Sequence, residues 1–253
     1  MPELLTKGVM LPTQNQKVTR LSPKITVIYG VPKVGKTKVA TELPGGLILD
    51  TEDGVAMYDN CMSIPISNYK DLYDVMAELD AEYTARKAAG RSTDDCYAYK
   101  YGIVDTLDKL EEFAEVEATR KYKASPLCNP DFKKHASSVT ELPHGLGYYY
   151  LREEVLNMIN KLKLRFKYLV LIVHVKEKLL DKKGEQVKVN DISLTGKLGS
   201  MVCSKADAIG YLSREGDKMM VSFQTSEGHV MGARQAHLAG KRFEFDWDKI
   251  FID

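Results

Sequence analysis

The chain has 253 residues, 44% hydrophobic and 28% charged, with a formal net charge of +1 at pH 7. This is the composition of a globular protein able to bury one large core, and so balanced a charge supplies no global field toward nucleic acid or membrane, leaving any such affinity to local patches. No run approaches the roughly 18 apolar residues of a membrane span, and Cys61, Cys96, Cys128 and Cys203 are too scattered for a disulfide framework or a zinc site, which fits a reducing cytoplasm.

Residues 1–22 are polar and contain proline, and read as an arm or short edge strand ahead of a single domain over 23–253; they lack the apolar stretch of a secretory signal. Ile25 to Tyr29 is an apolar, β-branched run and predicts a buried strand. Lys36 to Leu43 opens a helix that Pro44-Gly45-Gly46 stops. Gly46 to Thr51 predicts a second strand and Ser63 to Ile66 a short third. Ser67 or Asn68 caps a helix in which Leu72, Val75, Met76, Leu79 and Tyr83 recur at helical spacing. Past a loop at Gly90 and Ser92, a strand is expected over Tyr97–Asp105 and a helix over Thr106–Tyr122. Residues 123–146 read as a long loop, part of an unusually large 120–147 segment. Tyr148 to Phe166 is an amphipathic helix with Leu151, Val155, Leu156, Ile159 and Leu162 on one face. Tyr168 to Val175 is the most apolar strand and therefore central. From Lys176 to residue 253 the pattern becomes hairpin-like, with turns at Asp181–Gly184 and Arg214–Asp217. Strands alternating with helices, then strands alone, predict an α/β fold: a mostly parallel sheet flanked by helices, with an antiparallel C-terminal extension.

Between the first strand and first helix stands Gly30-Val31-Pro32-Lys33-Val34-Gly35-Lys36-Thr37, which fits G-x-x-x-x-G-K-[ST] in the strand–loop–helix context that this motif requires. The chemistry lies in the main chain: a glycine-rich turn points several N–H groups at one phosphate, and the helix N-terminus through Lys38 adds partial positive charge. Lys36 is placed to reach the β- and γ-phosphates, and the Thr37 hydroxyl to ligate Mg²⁺. A nucleoside triphosphate is the expected ligand, ATP with Mg²⁺ as cofactor. The Mg²⁺ shell also needs a carboxylate at the end of a strand beside the loop strand. Asp105 supplies it, and can cap the following helix as well. Hydrolysis needs a group that orients water. If the strand ending at Asp50-Thr51-Glu52-Asp53-Gly54 neighbours the loop strand, Glu52 projects toward the γ-phosphate; equally, Asp53-Gly54 is a turn and Glu52 solvated.

The phosphate loop, Asp50-Thr51-Glu52 after the second strand, and an apolar strand ending in Asp105-Thr106 together resemble the RecA-type ATPase core. That resemblance implies that Glu52 activates water, that Asp105 serves Mg²⁺, and that His174 sits where the family places a polar sensor of the γ-phosphate. His174-Val175-Lys176-Glu177-Lys178, Leu194-Thr195-Gly196-Lys197 and Asp207-Ala208-Ile209-Gly210-Tyr211-Leu212 are similar to a compact, mostly phage-encoded branch associated with single-strand annealing and recombination. The likeness covers about residues 22–230, with the 120–147 segment as a departure, and implies a host-cytoplasmic setting and a ring or filament of identical subunits. In such an assembly Lys197 would reach a neighbour's nucleotide as a finger in trans; otherwise it is a surface lysine.

Single-stranded DNA is the expected partner on that resemblance. Lys161, Lys163, Arg165, Lys167, Lys176, Lys178, Lys182, Lys183 and Lys188 face only Glu177, Asp181 and Glu185 in sequence, an excess of six positive charges in an otherwise neutral chain. Tyr148-Tyr149-Tyr150, with Lys133, Lys134 and His135, could stack bases. The plainer alternative is a solvated helix face, a hairpin and partly buried tyrosines. Two other functions fit the phosphate loop: a small-molecule kinase, disfavoured because residues 176–197 hold no arginine for a lid, and a nucleotide-gated switch with little turnover.

Overall fold

A computed structural model describes residues 20–182 and 185–253, with the side chains of 178–188 outside the described residues. Most of the 1–22 arm and Lys183 therefore fall outside it as well. Among the described residues ten strands form one connected β system: β1 (Ile25–Gly30), β2 (Gly46–Asp50), β3 (Met62–Pro65), β4 (Tyr101–Asp105), β5 (Tyr168–Lys182), β6 (Glu185–Ile192), β7 (Ala208–Glu215), β8 (Lys218–Ser222), β9 (Gly232–Ala233) and β10 (Arg242–Glu244). The main order is β10-β8-β7-β1-β5-β4-β2-β3, and every pair from β7 to β3 is parallel. The helices are α1 (Lys36–Thr41), α2 (Tyr69–Ala88), α3 (Leu107–Ala124), α4 (Pro130–His135), α5 (Leu146–Arg165) and α6 (Leu198–Lys205). Among the described residues no helix is long and apolar enough to cross a membrane.

Strand alternation divides the core in two. Val27, Tyr29, Leu49, Val104, Leu171 and Val173 face α2, α3, α5 and α6, whereas Ile28, Ile48, Ile103, Val170 and Ile172 face α1 and the C-terminal residues Trp247, Ile250 and Phe251. Sheets buried on both faces need such near-continuous apolar strands. Residue 22 belongs to this packed body: the fully buried Ser22 hydroxyl accepts a 2.9 Å hydrogen bond from the Ile252 amide, and Arg20 pairs with Asp207 at 3.1 Å.

Three expectations change. The 123–146 segment is not a structureless loop: it holds α4 and two short turns of 3₁₀ helix, organised by a small core of Ala118, Tyr122, Val139 and Leu142. Apolar residues spaced across Pro126, Pro130 and Pro143 hide that core from any single period. The region after Lys176 is not strands alone, because α6 intervenes and β7 runs parallel to β1, inside the core. Its eight residues are too few to reveal helical periodicity. Finally, neither Asp105 nor Asp50 ends a strand beside the loop strand. The neighbours of β1 are β5 and β7, so β5 separates it from β4, and both β5 and β4 separate it from β2.

Candidate functional site

Parallel registers bring the C-terminal ends of four strands level: Gly30 pairs with His174, Ile172 with Asp105, and Asp105 with Asp50. Ligands of open parallel sheets collect at this edge. There a cleft of about 430 Å³ is lined by Pro32, Lys33, Gly35, Lys36, Thr37, Glu52, Tyr58, Asp105, Thr106 and His174.

The phosphate loop leaves β1 and returns on itself through the Val34 amide on the Val31 carbonyl at 3.3 Å, while the Val34 side chain is buried in the core. Gly35 precedes α1 with φ of 112°, a left-handed conformation that any other residue adopts only with strain, and a Cβ there would come within 2.5 Å of Met219 Cε. Arg214 on β7 braces the loop from behind, its Nε donating to the Val34 carbonyl at 3.2 Å. The buried Lys36 ammonium donates to the Gly30 and Val31 carbonyls, both at 3.1 Å, and burial lowers its pKa. Lys38 points away from the cleft, in an exposed pair with Glu42 at 3.8 Å, so only its main chain can serve a phosphate.

Asp105 is the carboxylate whose surroundings best fit a cation. It is buried, its Oδ1 accepts no hydrogen bond among the described residues, and burial pushes its pKa up to about 6 against the opposing Thr37 hydroxyl. A negative oxygen so placed is costly unless a cation lies next to it. Thr37 and Asp105 therefore fit a Mg²⁺ ion, with a hydroxyl and a carboxylate as its hard oxygen ligands.

Glu52 reaches the cleft by a route the strand order alone would not suggest. Asp50, buried at the end of β2, accepts from the amides of Glu52 and Gly54 at 3.2 Å and of Val55 at 3.0 Å. This folds residues 52–55 into a tight turn that abuts Thr37. Asp53-Gly54 is a turn, as the plainer reading has it, and that turn places Glu52 in the lining of the cleft. Glu52 is exposed, and its Oε1 accepts from the Thr106 hydroxyl at 3.0 Å; Thr106 is fixed by its amide on Thr51 Oγ1 at 2.7 Å.

His174 is held by a residue that sequence reasoning missed. Asp108, in the first turn of α3, accepts from the His174 amide at 3.2 Å and meets His174 Nδ1 at 2.7 Å. The Asp108 contact raises the His174 pKa above the ordinary imidazole value, and His174 in turn keeps Asp108 below the usual carboxylate range despite its burial. Their ion pair stabilises the fold only between those two values: it weakens as pH rises through the raised His174 pKa and as pH falls through the depressed Asp108 pKa. Asp108→Asn is expected to lower the His174 pKa, read from the ring protons by NMR titration; an unmoved titration would remove Asp108 as the cause. Ligating atoms of Glu52, Asp108 and His174 lie within 4.8 Å of one another, but with Nδ1 engaged by Asp108 the trio reads as a charge network beside the phosphate position.

Lys197 is not among the cleft residues. It lies exposed just before α6, after Gly196 with φ of 55°. The basic excess is partly consumed inside the molecule: Arg165 pairs with Asp80, Lys167 with Asp94 at 2.8 Å, Lys161 donates to the Tyr73 hydroxyl at 2.8 Å, and Lys176 donates to the Leu194 carbonyl. Tyr150 packs on Tyr122, whereas Tyr148 and Tyr149 are exposed. Asp108, Tyr58 and Arg214 were not legible as site residues. An aspartate in a helix's first turn is ordinary, and nothing in the sequence ties it to a histidine 66 positions on.

A family profile described as an AAA domain matches residues 22–235. No curated protein matches the chain.

Proposed function

The chain belongs to this AAA-domain family, a family of P-loop NTPases, and from that premise we propose that it is a Mg²⁺-dependent ATPase coupled to single-stranded DNA in recombination or annealing. The observation that carries the ATPase reading is the convergence of Lys36, Thr37, Glu52, Asp105 and His174 on one cleft. Mg²⁺, when bound at Thr37 and Asp105, would neutralise charge on the phosphates. The chain's own residues do the rest. On nucleotide binding Lys36 exchanges the carbonyls of Gly30 and Val31 for phosphate oxygens, while the free main-chain amides of the loop and the start of α1 enclose the β-phosphate. Glu52, oriented by the Thr106 hydroxyl, accepts a proton from the attacking water. His174, oriented by Asp108, whose contact raises the imidazole pKa, donates in its protonated form toward the γ-phosphate.

Lys197 lies outside its own chain's cleft, so any action on a nucleotide would be in trans, from a neighbouring subunit. The DNA reading draws on the hairpin of β5 and β6, which extends past the sheet's carboxyl edge, and on exposed Tyr148 and Tyr149. Measuring ATP hydrolysis with and without oligo-dT tests the coupling. Stimulation of several-fold is expected; identical rates at saturating oligonucleotide would leave an ATPase with no DNA dependence.

A further inference from the structure

At the sheet edge opposite the nucleotide cleft, three adjacent strands each begin directly after a lysine: Lys24 before β1, Lys167 before β5 and Lys100 before β4. Register sets Tyr101 level with Tyr168, so Lys100 and Lys167 stand side by side. With Arg86 from the last turn of α2 and Arg91 from the next loop they line a cleft of about 600 Å³, larger than the nucleotide cleft, with Tyr97 in its wall. The six residues of β1 separate the two edges by roughly 20 Å at the rise of a strand, so no phosphate of a nucleotide held at Lys36 reaches this one.

Within the lining, the four cations Arg86, Arg91, Lys100 and Lys167 face two carboxylates, with Glu82 and the Asp253 carboxylate close by. The lining carboxylates are Asp94, engaged by Lys167 at 2.8 Å, and Asp95, which accepts from the Ser92 hydroxyl. Arg86 is held by Glu82 and the Tyr97 carbonyl. Arg91 makes no ion pair among the described residues, and Lys100 donates to the main-chain oxygen of Asp253 at 3.0 Å. Behind them the Lys24 ammonium donates to the carbonyls of Phe166 and Lys167 at 2.6 and 2.7 Å. Burial, and then repulsion from Arg20 and Lys163, pushes its pKa down to about 8.

We propose that this cleft binds the phosphodiester backbone of a single nucleic-acid strand, with Arg91 and Lys100 on phosphates and Tyr97 under a base. A guanidinium fork matches phosphate oxygens, and the half-buried Tyr97 ring, with Tyr83 at 5.5 Å and the Lys24 ammonium over it at 5.6 Å, is the aromatic group that single-strand sites combine with cations. An acidic peptide would use the cations and leave the ring idle. The choice of ligand rests on the single-strand reading above; the site itself is independent of the nucleotide cleft.

The test is fluorescence anisotropy of labelled oligo-dT at several salt concentrations, with wild type, an Arg91→Glu/Lys100→Glu double variant and Lys36→Ala. The double variant is expected to bind at least tenfold more weakly. Its slope of log affinity against log salt is expected to flatten by about 1.4, since each single-strand contact contributes about 0.7. In nucleotide-free buffer, where the coupling to ATP cannot act, Lys36→Ala should bind the strand as wild type does, so that failure of the ATPase reading, seen as turnover retained by Lys36→Ala, leaves this result standing. Should the charge reversal unfold the protein, Arg91→Gln/Lys100→Gln should still weaken binding threefold or more. No binding by wild type, an unchanged slope in a folded variant, equal binding of poly-glutamate, or displacement by equimolar pyrophosphate would each overturn the proposal.

Discussion

Glu52→Gln is expected to slow ATP turnover by about 10²- to 10⁴-fold, the usual contribution of a positioned general base, while ATP affinity stays within a few-fold. The amide has the shape of the carboxylate and still accepts from the Thr106 hydroxyl, so the 52–55 turn, held by Asp50 rather than by Glu52, should be undisturbed. What the substitution removes is the capacity to take a proton from water. Single-turnover hydrolysis beside an equilibrium binding measurement separates the two effects. A variant that turns over at the wild-type rate would strip Glu52 of its role and return the cleft to a binding site without chemistry.

Lys36→Ala is expected to weaken ATP binding by about 100-fold, because bonds from an ammonium to charged oxygens are worth up to about 3 kcal/mol. The same change should not lower the melting temperature of the ligand-free protein. In the absence of phosphate the Lys36 charge is buried against two carbonyls and held at a reduced pKa by burial, so the fold loses little when it goes. Calorimetric titration with ATP and a thermal melt provide the two readouts. Unchanged affinity would sink the phosphate loop itself; a large fall in melting temperature would make Lys36 a structural residue.

These two variants probe features of different legibility. Lys36 belongs to eight contiguous residues whose chemistry is local: a turn geometry, a helix start and a charge, all within one strand–loop–helix unit. Such a unit is set by neighbours in the chain, and it stands in the structure as expected. The same is true of the apolar strands β1 and β2, and of α5, whose buried residues keep helical spacing, whereas β4 begins at Tyr101 rather than at the expected Tyr97. Glu52 is different. Its residue type was suggestive, yet its placement was inferred from a strand adjacency that does not exist, since β5 and β4 lie between β1 and β2. It reaches the cleft because three main-chain amides wrap around Asp50 against Thr37.

What the chain's own order of residues determined, then, was the phosphate loop, the alternation of strands with helices, and the carboxylates able to serve a nucleotide, because each depends on residues close together in sequence. Tertiary structure alone decided the strand order, the helix α6 within a region that reads as strands, the small core beneath 123–146, and the partnership of Asp108 with His174. Those depend on contacts between distant segments, where burial and hydrogen-bond pairing in three dimensions select among arrangements that local pattern leaves equal.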